Sequence, residues 1–236
     1  MSKGTLYLIP TVIADRQTNT IPDQVKELLK TLQYFLVENV RTSRRYISSL
    51  SLGLTIEDLN FEVLNKNTKN TDLDILMEPL TKGYNMGILS ESGCPGVADP
   101  GAHAVAWAQR NGYKVIPLVG PSSILLALMG SGFNGQKFCF HGYLPIDKKK
   151  LEAEIRRLEI ESRNSYQTQI FIETPFRNNQ LLKTLTQVNN NETLLCIAKN
   201  LTAPDQLIET KTIAEWKKTK IDLHKIPTVF LMYVAQ

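Results

Sequence analysis

The chain has 236 residues and a formal charge of +4, long enough for one large or two medium domains. Its 42% hydrophobic and 21% charged content is that of an ordinary globular protein and excludes a disordered or low-complexity chain. The mild basic excess permits a polyanionic partner without demanding one. The three cysteines, Cys94, Cys139 and Cys196, have no CxxC spacing, which speaks against zinc and against a disulfide framework. No apolar run is long enough to span a bilayer, and Met1-Ser-Lys-Gly leads straight into a strand pattern. A cytoplasmic protein with reduced thiols and no membrane partner is expected.

In chain order, Thr5-Leu-Tyr-Leu-Ile9 reads as a buried strand closed by Pro10. Helical spacing follows over 23–32, with Pro22 near its start. A strand is expected over 34–37, ending at Glu38, then a helix over 41–50. Thr55-Ile-Glu-Asp58 carries an N-cap signature. A strand over 61–64, a helix over 71–81 and a strand over 85–89 come next. The helix over 102–110 ends at Gly112, and a strand covers 114–119. This alternation predicts a parallel α/β sheet over residues 1–119.

Gly120-Pro-Ser-Ser123 punctuates the chain and starts a helix over 122–129. Residues 120–236 form the second expected domain. Its strands are predicted over 137–143, 169–173, 193–198, 207–212 and 228–234, and its helices over 147–163 and 178–188. They make a mixed sheet.

The densest punctuation lies at 87–101, where Gly93, Gly96 and Gly101 alternate with Pro95 and Pro100 behind the apolar run 86–89. Glycines let a backbone approach a ligand closely, and turn-rich loops after strands are where open α/β sheets bind. Ser90, Glu91, Ser92 and Asp99 supply polar groups. Other strand-end candidates are Glu38, Ser122, Ser123 and Glu173. Each has a plainer alternative: Glu38 as a helix cap, the serines as N-caps, Asp99-Pro100 as a turn pair. No G-x-G-x-x-G, phosphate loop or G-x-S-x-G elbow is present, and His103, His141 and His224 lack metal-ligand spacing.

At these residues the chain resembles the tetrapyrrole methylase superfamily, the class III S-adenosylmethionine-dependent methyltransferases, and within it the ribosomal RNA 2′-O-ribose methyltransferase I branch. The likeness runs through Leu6-Tyr-Leu-Ile9-Pro10, Glu38-Asn-Val-Arg41 and Ser90-Glu-Ser-Gly-Cys-Pro95. It continues through Asp99-Pro-Gly101, Pro117-Leu-Val-Gly-Pro-Ser122, Gly130-Ser-Gly132, Phe138-Cys-Phe-His-Gly-Tyr-Leu-Pro145 and Ile172-Glu-Thr-Pro-Phe-Arg177. It departs from the branch at Asn39 and Val40, where E-D-T-R is usual, at Phe176, where E-S-P-H-R is usual, and at Ala203, where E-L-T-K is usual.

The resemblance implies a two-domain α/β fold with a parallel N-terminal sheet and a mixed C-terminal one. S-adenosylmethionine would lie in the cleft between the domains, held by Pro10, Ser90, Glu91, Ser92, Gly93, Cys94, Pro95, Val97, Ala98, Asp99 and Ser122. From the second domain Phe171, Ile172, Leu201, Pro227 and Thr228 would join them. Glu38 and Glu173 are the expected bases, with Arg41 beside them. Arg41, Arg44, Arg45 and Arg177 would hold an acceptor phosphate or carboxylate. No metal is implied. RNA is the expected acceptor and a homodimer the expected assembly. A small-molecule methylase and a catalytically silent donor-binding regulator remain open alternatives at this point.

Overall fold

The computed structural model describes residues 3–235; the reading made at Met1-Ser2 lies outside them. The chain divides between Ser122 and Ser123 into two compact units, and the division expected after residue 119 falls just before that point.

In unit 1 the strands are β1 (Thr5–Ile9), β2 (Tyr34–Val37), β3 (Asn60–Val63), β4 (Met86–Leu89) and β5 (Lys114–Pro117). They form one sheet in the order β3-β2-β4-β1-β5, every pair parallel. The helices are α1 (Asp23–Leu29), α2 (Val40–Ser49), α3 (Asn70–Leu76), α4 (Glu78–Thr81) and α5 (Gly101–Arg110).

The central strands β2 and β4 are apolar on both faces because each face meets helices, whereas the edge strand β3 is mostly exposed. Side chains alternate across a strand, so Phe35 and Val37 of β2 join Ile9, Leu89 and the α1–α2 residues Val25, Leu29 and Ile47. Leu36 points the other way, into Leu6, Met86, Ile88, Leu73, Met77, Ala104 and Trp107. Each fully buried large side chain contributes about 1.5–3 kcal/mol.

The helix expected over 71–81 is two helices. Met77 leaves helical geometry at φ −92°, ψ 3°, and Pro79 sits in the first turn of the next segment. A proline ring inside a continuous helix would strike the carbonyl four residues back, so the helix restarts instead of running through.

Unit 2 contains β6 (Phe138–Tyr143), β7 (Thr168–Ile172), β8 (Leu194–Lys199), β9 (Leu207–Thr212) and β10 (Thr228–Tyr233) in the order β6-β7-β10-β8-β9. Only β6 and β7 pair in parallel; the other three pairings are antiparallel. The sheet is therefore mixed, as expected. One face carries α7 (Lys148–Ser165), α8 (Asn178–Val188) and the short α9 (Ile213–Trp216), which share a core of Leu151, Ile155, Leu158, Leu181, Phe171, Phe230 and Trp216. α6 (Ser123–Ser131) packs against β8, β9 and β10. The sequence reading missed α9, whose four residues are too few to show a period. Thr212 caps it, its hydroxyl accepting from the Glu215 N–H. No helix among the described residues is long and apolar enough to cross a membrane.

Candidate active site

Because unit 1 is all-parallel, the carboxyl ends of its strands share one edge. The chain leaves β1 at Pro10, β2 at Glu38, β4 at Ser90 and β5 at Leu118 along that edge. The strand order sets the Pro10 and Glu38 exits on either side of the loop 90–99.

The loop is tied down by its own side chains. The buried Ser90 hydroxyl donates to the Gly93 carbonyl at 2.7 Å and lies 3.3 Å from the Thr11 hydroxyl. The Thr11 N–H also donates to Gly93 at 2.9 Å. Asp99 Oδ1 accepts from the N–H groups of Gly96 at 2.9 Å and Gly101 at 2.7 Å, so one carboxylate oxygen closes the loop and opens α5. The Cys94 thiol, its pKa raised by burial, donates to the Pro121 carbonyl at 3.4 Å. These bonds leave Glu91, Ser92, Val97 and Ala98 exposed, and Pro95 and Gly93 buried beneath them.

Two glycines are required here. A Cβ at Gly120 would come within 2.2 Å of the Pro10 ring, which fixes how closely the Gly-Pro-Ser segment meets the end of β1. Gly93 stands at φ +71°, and its Cβ would be 3.0 Å from the Pro121 carbonyl. Gly93→Ala is expected to lower stability by about 1–2 kcal/mol, the usual cost of a left-handed non-glycine residue. Thermal unfolding checks this, and an unchanged midpoint would show that the loop yields.

Glu38 does not cap α2. Asn39 does, its Oδ1 accepting from Arg41 N at 2.9 Å and Thr42 N at 3.3 Å. An amide caps as well as an acid, so the helix loses nothing by the exchange. Glu38 is left facing the loop. Burial, a hydrogen bond that the protonated Glu38 carboxyl donates to the Asp99 carboxylate, and the charges of Asp99 and Glu91 raise its pKa to about 7, against the Glu91 N–H that favours its ionised form. Both Glu38 and Asp99 are half-buried, so the pair is reachable while still desolvated.

On the other flank a pocket of about 600 Å³ opens between the β1 exit and α2. Thr42, Arg45, Tyr46 and Ser49 line it, one helix face by the three- and four-residue spacing. Thr11, Asp15, Arg16, Ser90 and Glu91 close it. The Tyr46 hydroxyl donates to the Pro10 carbonyl at 2.9 Å, and its burial raises its pKa. Thr42 donates to Glu91 at 2.6 Å.

The Arg44 guanidinium lies 5.4 Å from the centre of the Phe61 ring and does not line this pocket. Arg41 is exposed at the start of α2. The sequence reading missed Arg16, which has no motif, and Thr11, whose role appears only when β1 meets the β4 loop.

In unit 2, β10 runs antiparallel to β7 and β8, so the end of β7, the end of β8 and the start of β10 meet at one edge. The register pairs Ile172 with Val229 and Lys199 with Thr228, and Asn200 N donates to the Pro227 carbonyl at 3.0 Å. Ile172, Leu201, Pro227 and Thr228 are thus gathered. The backbone there is unusual: Asn200 and the β-branched Thr202 stand at φ +49° and +71°. Thr202 is a genuine outlier of the kind found at functional sites. The Phe171 side chain lies wholly in the core, leaving only its backbone for a ligand. Glu173 is buried, accepts from the Thr174 N–H at 2.6 Å and forms an ion pair with Arg177.

A glycine loop without a phosphate-loop motif, set at the carboxyl edge of a parallel sheet, has a counterpart. The family model of the Tetrapyrrole (Corrin/Porphyrin) Methylases matches residues 11–217. The chain belongs to the tetrapyrrole methylase family. This methylase is an enzyme, a methyltransferase of the S-adenosylmethionine-dependent kind.

Its sequence is 28% identical over 210 residues to the "Ribosomal RNA small subunit methyltransferase I" of Vibrio cholerae, spanning 89% of this chain and 69% of that one. It is 28% identical over 216 residues to the protein of the same name from Haemophilus influenzae, spanning 90% and 72%. Among solved structures the methyltransferase CobJ superposes with a TM-score of 0.64 at 16% identity, covering 100% of this chain and 95% of that one. That last likeness is one of fold. Among the described residues no three or more His, Cys, Asp or Glu side chains are grouped as metal ligands.

Proposed function

We propose that this methylase transfers a methyl group from S-adenosylmethionine to a ribose 2′-hydroxyl of ribosomal RNA, with Glu38 as the base. The observation that carries the role of Glu38 is its position at the β2 exit beside the loop 90–99, with a pKa of about 7. A general base works best when its pKa lies near the operating pH. The names of the relatives support the RNA acceptor.

The loop suits the donor. Glu91 and Ser92 offer polar groups at one end, and the half-exposed Val97 with Ala98 offers an apolar surface at the other, matching an amino-acid head and an adenine face. Pro10, Gly93, Cys94 and Pro95 shape this loop, and Ser122 closes unit 1 behind it. In unit 2 the backbone of Phe171, with Ile172, Leu201, Pro227 and Thr228, forms the second set of proposed donor contacts.

When bound, the donor supplies a methyl group whose bond to sulfur breaks as the bond to the acceptor oxygen forms. Glu38 takes the proton that the hydroxyl gives up. Burial and the neighbouring Asp99 set the proton affinity of Glu38, and Arg41 lies next along α2 for an acceptor phosphate. Alignment accounts for most of the acceleration, up to roughly 7–11 kcal/mol in well-oriented systems. Glu173, engaged by Arg177 and Thr174, is the weaker candidate base. The reading also carries a cytoplasmic homodimer, which sedimentation equilibrium checks: a mass near 26.6 kDa would remove the dimer.

The test has two steps. Titration calorimetry should give micromolar binding of S-adenosylmethionine and of its demethylated product. Tritium from the labelled methyl group should then enter the RNA of small ribosomal subunits and not uroporphyrin III. Label in the tetrapyrrole alone would replace the acceptor, and donor binding without any transfer would leave a regulatory protein.

A further inference from the structure

We infer that the pocket between the β1 exit and α2 seats one nucleotide unit of a single-stranded RNA acceptor, with Arg16 and Arg45 on its phosphate and Glu91 and Asp15 on its sugar hydroxyls. The inference rests on the RNA reading above and adds to it a site, the arginine Arg16 beside Arg45, and a form of ligand.

The volume, about 600 Å³, lies within the roughly 300–1,000 Å³ of small-ligand sites. Its lining is hydroxyl-rich and carries both signs of charge: Arg16 and Arg45 against Asp15 and Glu91. A purely cationic pocket would suit any anion. A balanced one suits a ligand with a phosphate at one end and neutral hydroxyls at the other, because a guanidinium donates to phosphate oxygens in a fork and a carboxylate accepts from hydroxyls.

Among the described residues neither Arg16 nor Arg45 is in an ion pair. Both are exposed. Arg16 is held at φ +65°, a conformation that costs a non-glycine residue energy and recurs at ligand clamps. Glu91 is shared by the pocket and the loop 90–99. A sugar in the pocket would therefore lie beside the β4 exit, where Glu38 also projects.

The experiment uses the full chain and a labelled ten-nucleotide single-stranded RNA, followed by fluorescence anisotropy over a range of salt. Arg16→Gln and Arg45→Gln are each expected to weaken binding about tenfold or more, the worth of a charge-assisted hydrogen bond. Each should lower the salt slope by about 0.7, one phosphate contact on a single strand. Their affinity for S-adenosylmethionine by calorimetry should be unchanged, which shows that the fold is intact. A DNA of the same sequence should bind more weakly.

Unchanged RNA affinity and salt slope in both variants would overturn the inference, as would no RNA binding by the unaltered protein. Equal binding of DNA would overturn the assignment of the sugar end. Methyl transfer to small ribosomal subunits is scored separately. Protein that binds RNA through the two arginines but transfers no methyl group keeps this site and sinks the RNA-methylation reading. Transfer with the same KM in both variants does the reverse.

Discussion

Arg177→Met is expected to cost about 3 kcal/mol of folding stability, near the low end of what breaking a buried ion pair costs. The cause lies in its partner. The Glu173 side chain is only 4% exposed, while that of Arg177 is 33% exposed. Methionine fills much of the arginine stem but leaves the carboxylate desolvated, with the Thr174 N–H as its remaining partner among the described residues. Urea unfolding measures the loss as a lower midpoint at constant slope. The double variant Glu173→Gln/Arg177→Met should recover most of it, because the unpaired charge is gone. A loss below about 1 kcal/mol, the range of exposed pairs, would mean that water reaches Glu173.

Glu38→Gln should lower kcat by roughly 10²- to 10⁴-fold, the usual worth of a positioned base, with donor affinity retained. In the unaltered enzyme kcat should rise as pH passes about 7, where Glu38 gives up its proton. The residual activity of the variant should not show that rise. The stability consequence has a definite sign. The folded state holds the Glu38 proton more tightly than the unfolded chain, whose ordinary value is 4.5. This contribution is therefore fully present below pH 4.5 and is lost as pH rises through about 7. Glu38→Gln removes the loss, so relative to the unaltered protein the variant should gain stability at pH 8 and not at pH 4. A kcat unchanged by the substitution would move the base elsewhere. A stability difference independent of pH would show that Glu38 titrates normally.

Much of the fold was legible because the strands of unit 1 are short apolar runs bounded by Pro10, Glu38 and the glycine loop. The bounds 5–9 and 34–37 read from the sequence match β1 and β2. The break at Met77 was legible in principle, since Pro79 is a local signal that the apolar spacing over 71–81 concealed. The short α9 was not, because a capped single turn has no periodicity to read.

Within the site, the sequence marked residues by type, and the structure sorted them by partner. Asp99 looked like a turn residue or a ligand contact. It is a clasp for Gly96 and Gly101 that also bears on Glu38. Four arginines looked equivalent, yet Arg44 lies over Phe61, Arg177 binds Glu173, and Arg45 faces the pocket.

By itself the sequence determined that a parallel α/β unit precedes a mixed-sheet one, that the loop 90–99 lies at a strand end, and that the chain reads as a tetrapyrrole methylase. Those facts depend on local patterns: apolar runs, glycine and proline placement, and motif order. Only the tertiary structure decided that Glu38 faces Asp99, that Thr11 is hydrogen-bonded to the loop 90–99, and that Arg16 and Arg45 share a pocket. Thr11 and Ser90 are 79 positions apart in the chain, and no local rule pairs them. They meet because β1 and β4 are neighbours in the sheet. That adjacency is set by the packing of two apolar faces against five helices, a property of the whole unit and of no single segment.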